Sequence, residues 1–251
     1  MLAKLVDKPF DNKNWIFEIK WDGYRAIAEV NDDATRLYSR NGLSFAQEYE
    51  VIYEALAALD INAVLDGEII ALNENGLPDF QALQYYGSEK ATLTYQVFDI
   101  LKLDGKTLEK MPLTERKKIL KDLLPGDSIE QYSDHVTERG IDFFEVAKEK
   151  NLEGIIAKRA DSLYYEDKRS NDWLKIKHHH TEEAIIVGFT TPRGGRKYFG
   201  ALVLAVHDQG RLTYIGHTGT GFSGKSLRDL YDRMQPLITA ENAFHEKINV
   251  H

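Results

Sequence analysis

The chain has no cysteine among its 251 residues. This absence excludes disulfide bonds and every zinc site that depends on thiolate ligands. The sequence also lacks a run of about 18 apolar residues, the length that a membrane-spanning helix needs, and its start lacks the apolar core of a signal peptide. We therefore expect a soluble, cytoplasmic protein that does not associate with a membrane.

An excess of positive charge is missing as well. The formal net charge is −8, with 32 lysine and arginine residues against 40 aspartate and glutamate residues. This balance argues against a protein that coats nucleic acid through bulk electrostatics. Local basic surfaces at 110–121, 158–177 and 193–197 remain an alternative, although each stretch by itself is more typical of a solvated charged face.

Length and pattern indicate two domains. With 43% hydrophobic residues the chain can bury a full core. Strand-like and helical segments mix without a regular βαβ rhythm, which predicts an α+β fold with mostly antiparallel sheets. After the histidines at 178–180, three strand-like segments follow in quick succession, as in a small β-barrel. We place a first domain at 1–178 and a second at 179–251.

The second domain lacks part of an OB-type barrel, which needs about five strands. A fourth strand has only begun when the sequence ends in "HEKINVH". We therefore expect a C-terminally truncated OB-fold and an excised piece of a longer protein, the alternative being an unusually open barrel. The histidines at 178–180 are interpreted as a boundary loop, because three adjacent side chains cannot converge on one metal ion.

Alternation of apolar and polar residues in "NWIFEIKWDGYRAIAEV" predicts two strands joined by a tight connection at the Asp-Gly pair. The first strand places Phe17 and Ile19 on one face and Glu18 and Lys20 on the other. Taken alone, a lysine at a strand end beside a turn is usually a solvated surface residue.

Helices are predicted between the strand-like segments. One begins with Ser44 and Gln47 in capping-box spacing and continues to about residue 60. The others are predicted around 79–86, 114–124 and 138–149.

The segment "GTGFSGKS", residues 219–226, matches the G-x-x-x-x-G-K-[ST] pattern of phosphate-binding P-loops. It follows a strand-like segment and precedes a helical one, as that motif requires. A P-loop fold also needs further parallel strands and an acidic magnesium ligand, but few residues follow and the connections upstream are too short for helical crossovers. We interpret the segment as a flexible strand-to-helix turn inside a barrel.

Six ordered segments change the interpretation of Lys20. This lysine opens K-x-D-G-x-R, and S-R-N-G, D-G-E, F-D, E-G-I-I-A-K and K-I-K follow in that order. The set resembles the motifs of the covalent nucleotidyltransferases, and it is most similar to the ATP-dependent DNA ligase domain of bacterial non-homologous end-joining ligases. The run between Val187 and Phe222 resembles the OB domain of those ligases. One K-x-D-G would be weak evidence, whereas six ordered motifs are specific.

The resemblance implies an enzyme that seals 5′-phosphate/3′-hydroxyl breaks in DNA with ATP and Mg²⁺ or Mn²⁺. Lys20 would attack the α-phosphorus of ATP and release pyrophosphate, which gives a covalent lysyl-AMP. AMP would then pass to the DNA 5′-phosphate, and the 3′-hydroxyl would displace it. Cations from Arg25, Lys175 and Lys177 would favour the neutral amine of Lys20 and neutralise charge on the triphosphate.

The resemblance also implies roles for the lysines and arginines of the motifs. Lys175 and Lys177 would contact the α-phosphate. Arg25 and Arg40 would bind phosphate or ribose, and Arg40 would later hold the DNA 5′-phosphate.

The resemblance also assigns roles to the remaining motif residues. Glu68 would bind the ribose hydroxyl or magnesium, and Glu153 is the first choice as metal ligand, because magnesium prefers oxygen. Phe98 would stack on adenine, while Glu18 and Ile19 would hydrogen-bond its edge, partly through the backbone. A core aromatic is the alternative for Phe98, because "YQVFDIL" has the pattern of a buried strand.

One family feature is missing. Such ligases carry a basic motif near the end of the OB domain that orients pyrophosphate, and no such segment precedes His251. We therefore expect slow or absent self-adenylation, and sealing by molecules that already carry AMP.

The partners implied are nicked or broken double-stranded DNA, end-binding repair proteins, and polymerase or nuclease domains fused in the full-length protein. The role would be bacterial double-strand break repair at the nucleoid. RNA ligases and mRNA-capping guanylyltransferases share the K-x-D-G lysine and remain alternatives, as does a non-catalytic DNA-end-binding scaffold. NAD-dependent DNA ligases are disfavoured, because their zinc module needs cysteines.

Overall fold

The computed structural model describes residues 1–31, 34–87, 91–126, 128–178, 183–208 and 210–244. The chain divides into two compact units, residues 1–179 and 180–251. As predicted, the fold is α+β, and most neighbouring strands are antiparallel. Among the helices described, none combines the length and the apolar character that a membrane crossing requires.

The first unit contains eleven strands and four helices in the part of the chain described. In chain order they are β1 (Leu2–Val6), β2 (Asn12–Ile19), β3 (Tyr24–Val30), β4 (Thr35–Ser39), α1 (Glu50–Ala57), β5 (Ala63–Leu72), α2 (Phe80–Gln84), β6 (Thr92–Leu103), β7 (Lys106–Thr107), α3 (Leu113–Leu123), β8 (Glu130–Tyr132), β9 (His135–Glu138), α4 (Gly140–Glu149), β10 (Gly154–Arg159) and β11 (Arg169–Lys177).

The first sheet has the strand order β1-β11-β10-β2-β9, in which only β1 and β11 are parallel. One face packs against α4, and its buried residues are Phe17, Ala147, Ile155, Ala157 and Ile176. Because side chains alternate along a strand, Glu18, Lys158 and Lys175 belong to the opposite face. The predicted division of β2 into an apolar and a charged face is therefore confirmed.

The second sheet has the order β4-β3-β5-β6-β7, and β8 joins β6 in parallel. The largest buried cluster lies on one of its faces and includes Tyr49, Ile52 and Leu56 from the α1 region. Helix α1 begins at Glu50 without a side-chain cap. The predicted capping box was wrong, because Ser44 instead forms an isolated bridge with Tyr38 at the end of β4.

The two sheets face each other across a smaller apolar cluster. Its buried members are Met1, Ile16, Leu101, Leu113, Tyr164 and Trp173. Phe98 packs at the edge of this cluster, on the face of β6 opposite to Val97, as the alternation of side chains requires. A bulge follows at this point, because Asp66 pairs with Asp99, whereas Gly67 pairs with Val97, and Phe98 is the extra residue.

The predicted tight connection between β2 and β3 is a crossing between sheets. β2 belongs to the first sheet and β3 to the second, so the two strands do not pair with each other. Gly23 makes the crossing possible: a Cβ at this position would lie 2.1 Å from the carbonyl oxygen of Ile69. The residue after β2, Lys20, therefore stands where the chain passes between the sheets.

The second unit contains an antiparallel sheet of β12 (Ile185–Phe189), β13 (Leu202–Asp208) and β14 (Arg211–Thr218), followed by α5 (Gly224–Met234) and a short 3-10 helix, Gln235–Leu237. This half-barrel accords with the predicted OB-fold. The predicted fourth strand at 245–251 and two of the three histidines, 179 and 180, lie outside the described residues.

The glycine-rich segment 219–226 is a strand-to-helix turn, as predicted. The Ser223 hydroxyl accepts a hydrogen bond from the backbone N–H of Ser226 at 3.1 Å and so caps α5. Phe222 packs edge-on against Phe199, with the ring centroids 5.5 Å apart. The strands described in this unit pair only in antiparallel fashion, which a P-loop fold does not allow.

Candidate active site

A cavity of about 120 Å³ lies between the two sheets of the first unit. Of the predicted site residues, Glu18, Ile19, Lys20, Arg25, Glu68 and Phe98 line it. The remaining walls come from Met1, Ala3, Trp21, Ile156, Lys158 and Trp173. The cavity therefore brings together motifs that lie far apart in the sequence.

Lys20 lies beside this cavity, paired with an acidic partner. Its Nζ donates to Glu153 Oε2, while Glu153 Oε1 accepts from Lys177 Nζ at 2.7 Å. The Lys20 and Glu153 side chains are each 19% exposed and Lys177 is 34% exposed. Burial alone would raise the pKa of Glu153, but the hydrogen bonds from Lys177 and Lys20 lower it. We name these three residues the outer triad.

The backbone brings the outer triad together. The N–H of Lys20 donates to the Gly154 carbonyl at 3.0 Å, which holds the end of β2 against the start of β10. Gly154 has a φ of +141°, and a Cβ there would lie 2.1 Å from the carbonyl oxygen of Ile176. Only glycine allows this approach, which places Glu153 next to Lys177.

Lys175 lies on the same face of β11 as Lys177 and is half-buried. Burial and the charges of Lys177 and Lys20 lower its pKa. The predicted basic pair is thus present at the lysine end of the cavity, although neither residue lines the cavity itself.

A second triad of the same composition lies deeper. Glu18 Oε1 pairs with Lys117 Nζ and Glu18 Oε2 with Lys158 Nζ, both at 2.7 Å. All three side chains are at most 2% exposed. Burial alone would raise the pKa of Glu18, yet the two lysines lower it, so the carboxylate stays ionised. We name these residues the inner triad.

Aromatic rings flank the inner triad. The Nζ of Lys158 lies 4.5 Å from the centroid of the Phe98 ring and 4.2 Å from that of Trp173. Phe98 and Trp173 meet edge to face at 6.2 Å. Phe98 therefore contacts the apolar cluster between the sheets and also lines the cavity, so it has features of both predicted alternatives.

The guanidinium of Arg25 is hydrogen-bonded to other groups of the protein. It donates twice to Asp66, at 2.9 and 2.6 Å, and also to the Met1 carbonyl at 2.6 Å and the Tyr164 hydroxyl at 3.2 Å. An arginine has five N–H donors, so little capacity remains for a ligand. Arg25 forms a fixed cationic wall of the cavity.

The structure does not bring Arg40 into the cavity that contains Lys20. Arg40 is exposed and lines a neighbouring cavity of about 230 Å³ with Glu29, Tyr38 and Glu166. The two cavities share Met1 and Arg25 as lining residues. Arg40 is therefore separated from Lys20 by the guanidinium wall.

Two carboxyl groups were predicted to hold a metal ion. Burial raises the pKa of Glu68 to about 8, and Glu153 is engaged by two lysines. In the part of the chain described, no three acidic or histidine residues converge on one point. Magnesium is commonly held by one or two carboxylates together with substrate phosphates, and Glu68 and Glu153 fit only that mode.

Several site residues received no predicted role. Lys158, which ends the motif E-G-I-I-A-K with Glu153, and Asp66, which opens D-G-E, lie inside motifs, and Trp173 lies just before K-I-K, so the motifs did contain a signal. Lys117 lies outside every motif, and only its helical spacing from Leu113 and Leu120 indicated burial. The interpretation of 110–121 and 158–177 as solvated faces was wrong for Arg116, Lys117 and Lys158, which are buried.

Known proteins match nearly the whole chain, and they belong to the family that the six motifs resemble. Residues 1–177 match the family model of the ATP dependent DNA ligase domain, and residues 195–251 match that of the ATP dependent DNA ligase C terminal region. The multifunctional non-homologous end joining protein LigD of Pseudomonas aeruginosa is 37% identical over 244 residues, which cover 94% of this chain and 29% of that protein. LigD of Mycolicibacterium smegmatis is 38% identical and covers 93% of this chain and 31% of that protein. The chain thus spans about three tenths of the length of these curated relatives.

Two solved structures have a similar fold and sequence. The mycobacterial DNA ligase D complexed with ATP and MES is 32% identical to this chain and gives a TM-score of 0.64. The match covers 99% of this chain and 82% of the chain in that structure. The ligase domain of LigD from M. tuberculosis is 32% identical with the same coverage and gives a TM-score of 0.61.

Proposed function

Because this chain belongs to the ATP-dependent DNA ligases, we propose that it joins 5′-phosphate and 3′-hydroxyl ends in double-stranded DNA at the expense of ATP. The reaction passes through AMP bound covalently to Lys20. The observation that carries the proposal is the outer triad, in which Lys20 lies beside a cavity with an acidic partner and a second lysine in reach. We assign residues 1–178 as the adenylation domain and 179–251 as the OB-fold domain.

In the first step the Nζ of Lys20 attacks the α-phosphorus of ATP. A P–N bond forms, the bond between the α-phosphorus and the bridging oxygen breaks, and pyrophosphate leaves. The amine must lose a proton before or during attack, and Glu153 Oε2 already contacts it as an acceptor. Lys177 and Lys175 supply positive charge for the phosphate oxygens.

Magnesium or manganese, when bound with ATP, would supply further positive charge to the leaving pyrophosphate. Glu68 and Glu153 are the residues that would hold it. Glu68 must first lose its proton, and because burial raises its pKa to about 8, the metal has to compete with that proton near neutral pH.

We place the adenine ring of ATP at the inner end of the cavity. Phe98 offers a ring for stacking, and the ionised Glu18 is an acceptor for the amine of adenine. Ile19 contributes at the adenine edge, partly through the backbone. Arg25 closes the side of the cavity and borders ribose or phosphate.

In the later steps AMP moves from Lys20 to the 5′-phosphate of DNA, and the 3′-hydroxyl displaces AMP. Arg40 is exposed on the far side of Arg25, which leaves it accessible to a DNA phosphate. The names of the LigD relatives support a role in non-homologous end joining. End-binding proteins and fused polymerase or nuclease domains are the proposed partners in double-strand break repair.

The direct test is sealing of a nicked duplex. The protein is incubated with a labelled 5′-phosphate nick, ATP and magnesium, and the sealed strand is measured. We expect sealing with ATP and a DNA nick in preference to GTP or an RNA nick. Greater activity on an RNA nick would favour an RNA ligase. Covalent labelling by GTP instead of ATP would favour a capping enzyme, and DNA binding with neither labelling nor sealing would favour a scaffold.

A further inference from the structure

We infer that Lys117, on α3 outside all six motifs, is a positioning residue that fixes the Glu18 carboxylate and thereby sets the preference for a purine with an amine at C6. The inference deepens the proposed function and rests on it. Its geometric basis is the contact set of Lys117: Glu18 Oε1 at 2.7 Å, the Ser133 carbonyl at 2.9 Å, and the face of Tyr132, with its centroid 4.6 Å away.

The surroundings of Glu18 distinguish Lys117 from an ordinary buried ion-pair partner. Glu18 already pairs with Lys158 at 2.7 Å, and Lys117 is a second lysine against the same carboxylate in a site at most 2% exposed. Burial and the charge of Lys117 lower the pKa of Lys158, so the second lysine acts against the charge of the first. A second buried lysine is costly unless it is well hydrogen-bonded, and a single pair would satisfy packing at lower cost. The additional lysine therefore indicates a role in function.

Ser133 connects Lys117 to the walls of the cavity. Its backbone N–H donates to the Val97 carbonyl at 2.8 Å, next to Phe98, and its hydroxyl accepts from the indole N–H of Trp21 at 3.0 Å. Trp21 follows Lys20 and lines the cavity. Ser133 lies between β8 and β9, where the chain crosses from the second sheet to the first. Lys117 is thus held by the link that joins both sheets.

The consequence for a bound base follows from hydrogen-bond capacity. An ionised carboxylate only accepts, and each oxygen can accept more than one bond. Lys158 donates to Glu18 Oε2, while Lys117 forms an ion pair with Oε1, which has no hydrogen-bond partner in the part of the chain described. The two lysines restrain the ionised carboxylate from both sides, and Oε1 keeps its capacity to accept from a base. The amine of adenine is a donor and fits this acceptor, whereas the C6 oxygen of hypoxanthine or guanine is repelled.

The test compares equilibrium binding of ATP and of inosine triphosphate, in which an oxygen replaces the C6 amine. In the unaltered chain we expect ATP to bind at least about tenfold more tightly, the value of one hydrogen bond to a charged acceptor. In Lys117→Met the ratio should fall below about threefold, because the freed Glu18 oxygen no longer holds its orientation. ATP binding should weaken, while binding of inosine triphosphate should stay the same or improve.

Two further variants serve as controls for Lys117→Met. Lys117→Arg keeps the charge and should restore most of the preference for ATP. Lys118→Met changes the exposed neighbour on the same helix and should leave both affinities unchanged. Calorimetric affinities belong to the folded molecules only, so partial unfolding of Lys117→Met does not alter the ratio. If that variant does not fold, Lys117→Gln, which can still donate to Glu18, carries the test with an intermediate ratio expected.

Two outcomes would overturn the inference. In one, ATP and inosine triphosphate bind equally to the unaltered chain. In the other, Lys117→Met weakens both nucleotides by the same factor, as a purely structural role requires. Failure of the proposed function has a different signature, since a chain that binds neither nucleotide, or binds ATP but never seals DNA, contradicts that proposal itself.

Discussion

The outer and inner triads have the same composition and different surroundings. In each, one glutamate bridges two lysines, with Glu153 between Lys20 and Lys177 and Glu18 between Lys117 and Lys158. The outer side chains are 19 to 34% exposed, and the inner ones at most 2%. Burial therefore decides what the same ionic arrangement can do.

Solvent access makes the outer triad exchangeable. A partly exposed ion pair contributes little stability, so its groups can leave one another for phosphate or metal at low cost. The inner groups cannot exchange partners, because an unpaired buried charge is expensive. The outer triad is thus suited to chemistry, and the inner triad to holding a fixed geometry.

The largest expected effect is on stability. Glu18→Gln removes the negative charge between two buried ammonium groups and should lower the free energy of unfolding by about 3–5 kcal/mol. Glu153→Gln should lower it by less than about 1 kcal/mol. Urea unfolding measures both. Glu145→Gln, in an exposed pair with Lys148, is the control and should change it by no more than about 0.5 kcal/mol. Equal losses at Glu18 and Glu153 would remove the contrast.

The next effect is on the rate of Lys20 modification. Glu153→Gln keeps the shape of the side chain but removes the charged acceptor that Lys20 contacts. We expect adenylation to slow by about 10- to 100-fold, which corresponds to one charge-assisted hydrogen bond. Transfer of label from ATP into protein measures the rate. An unchanged rate in this variant would mean that the outer triad is only a surface ion pair.

A smaller effect is expected on ATP affinity when Phe98, at the inner end of the cavity, is replaced. Phe98→Leu removes an aromatic face worth about 0.5–1.5 kcal/mol and should weaken ATP binding by roughly 2- to 10-fold. The matched control is Phe10→Leu, because Phe10 packs in the cluster on the α4 side of the first sheet and does not line the cavity. Equal affinities in the Phe98 variant and the unaltered chain would favour the core-aromatic interpretation.

A separate prediction concerns the pH dependence of stability through Glu68, which has no lysine partner of its own in the part of the chain described. Burial raises its pKa to about 8, above its value in the unfolded chain, so the folded state holds a proton that the unfolded state releases. Its contribution to stability is therefore present at pH 5 and is lost as pH rises through about 8. The melting temperature of the unaltered chain, measured relative to that of Glu68→Gln, should therefore fall between pH 5 and about pH 8. A constant difference would contradict the raised pKa.

The sequence was most informative where local alternation determines structure. The strand pattern of "YQVFDIL" lies within β6, and the two faces of β2 follow from residues 15–20. The motif order also identified half of the residues that line the cavity. These features depend on neighbours in sequence, which a single chain displays.

The features that escaped prediction depend on tertiary contacts. The β6 bulge at Phe98 arises from pairing with β5, and the placement of β2 and β3 in different sheets depends on the close approach at Gly23. Lys117 has an equally basic neighbour, Lys118, and only the packing of α3 makes one buried and the other exposed. The position of Arg40 outside the main cavity likewise required the fold.

The most direct test is the covalent step itself. Because self-adenylation is expected to be slow, the protein is incubated in excess over a long time course with ATP labelled at the α-phosphate and with magnesium, until the label reaches a plateau, and is then separated on a denaturing gel. We predict acid-labile label on the unaltered chain and on Lys118→Ala, none on Lys20→Ala, and an AMP adduct that peptide mapping places on Lys20. Label that persists in Lys20→Ala, or an adduct on another residue, would contradict the account.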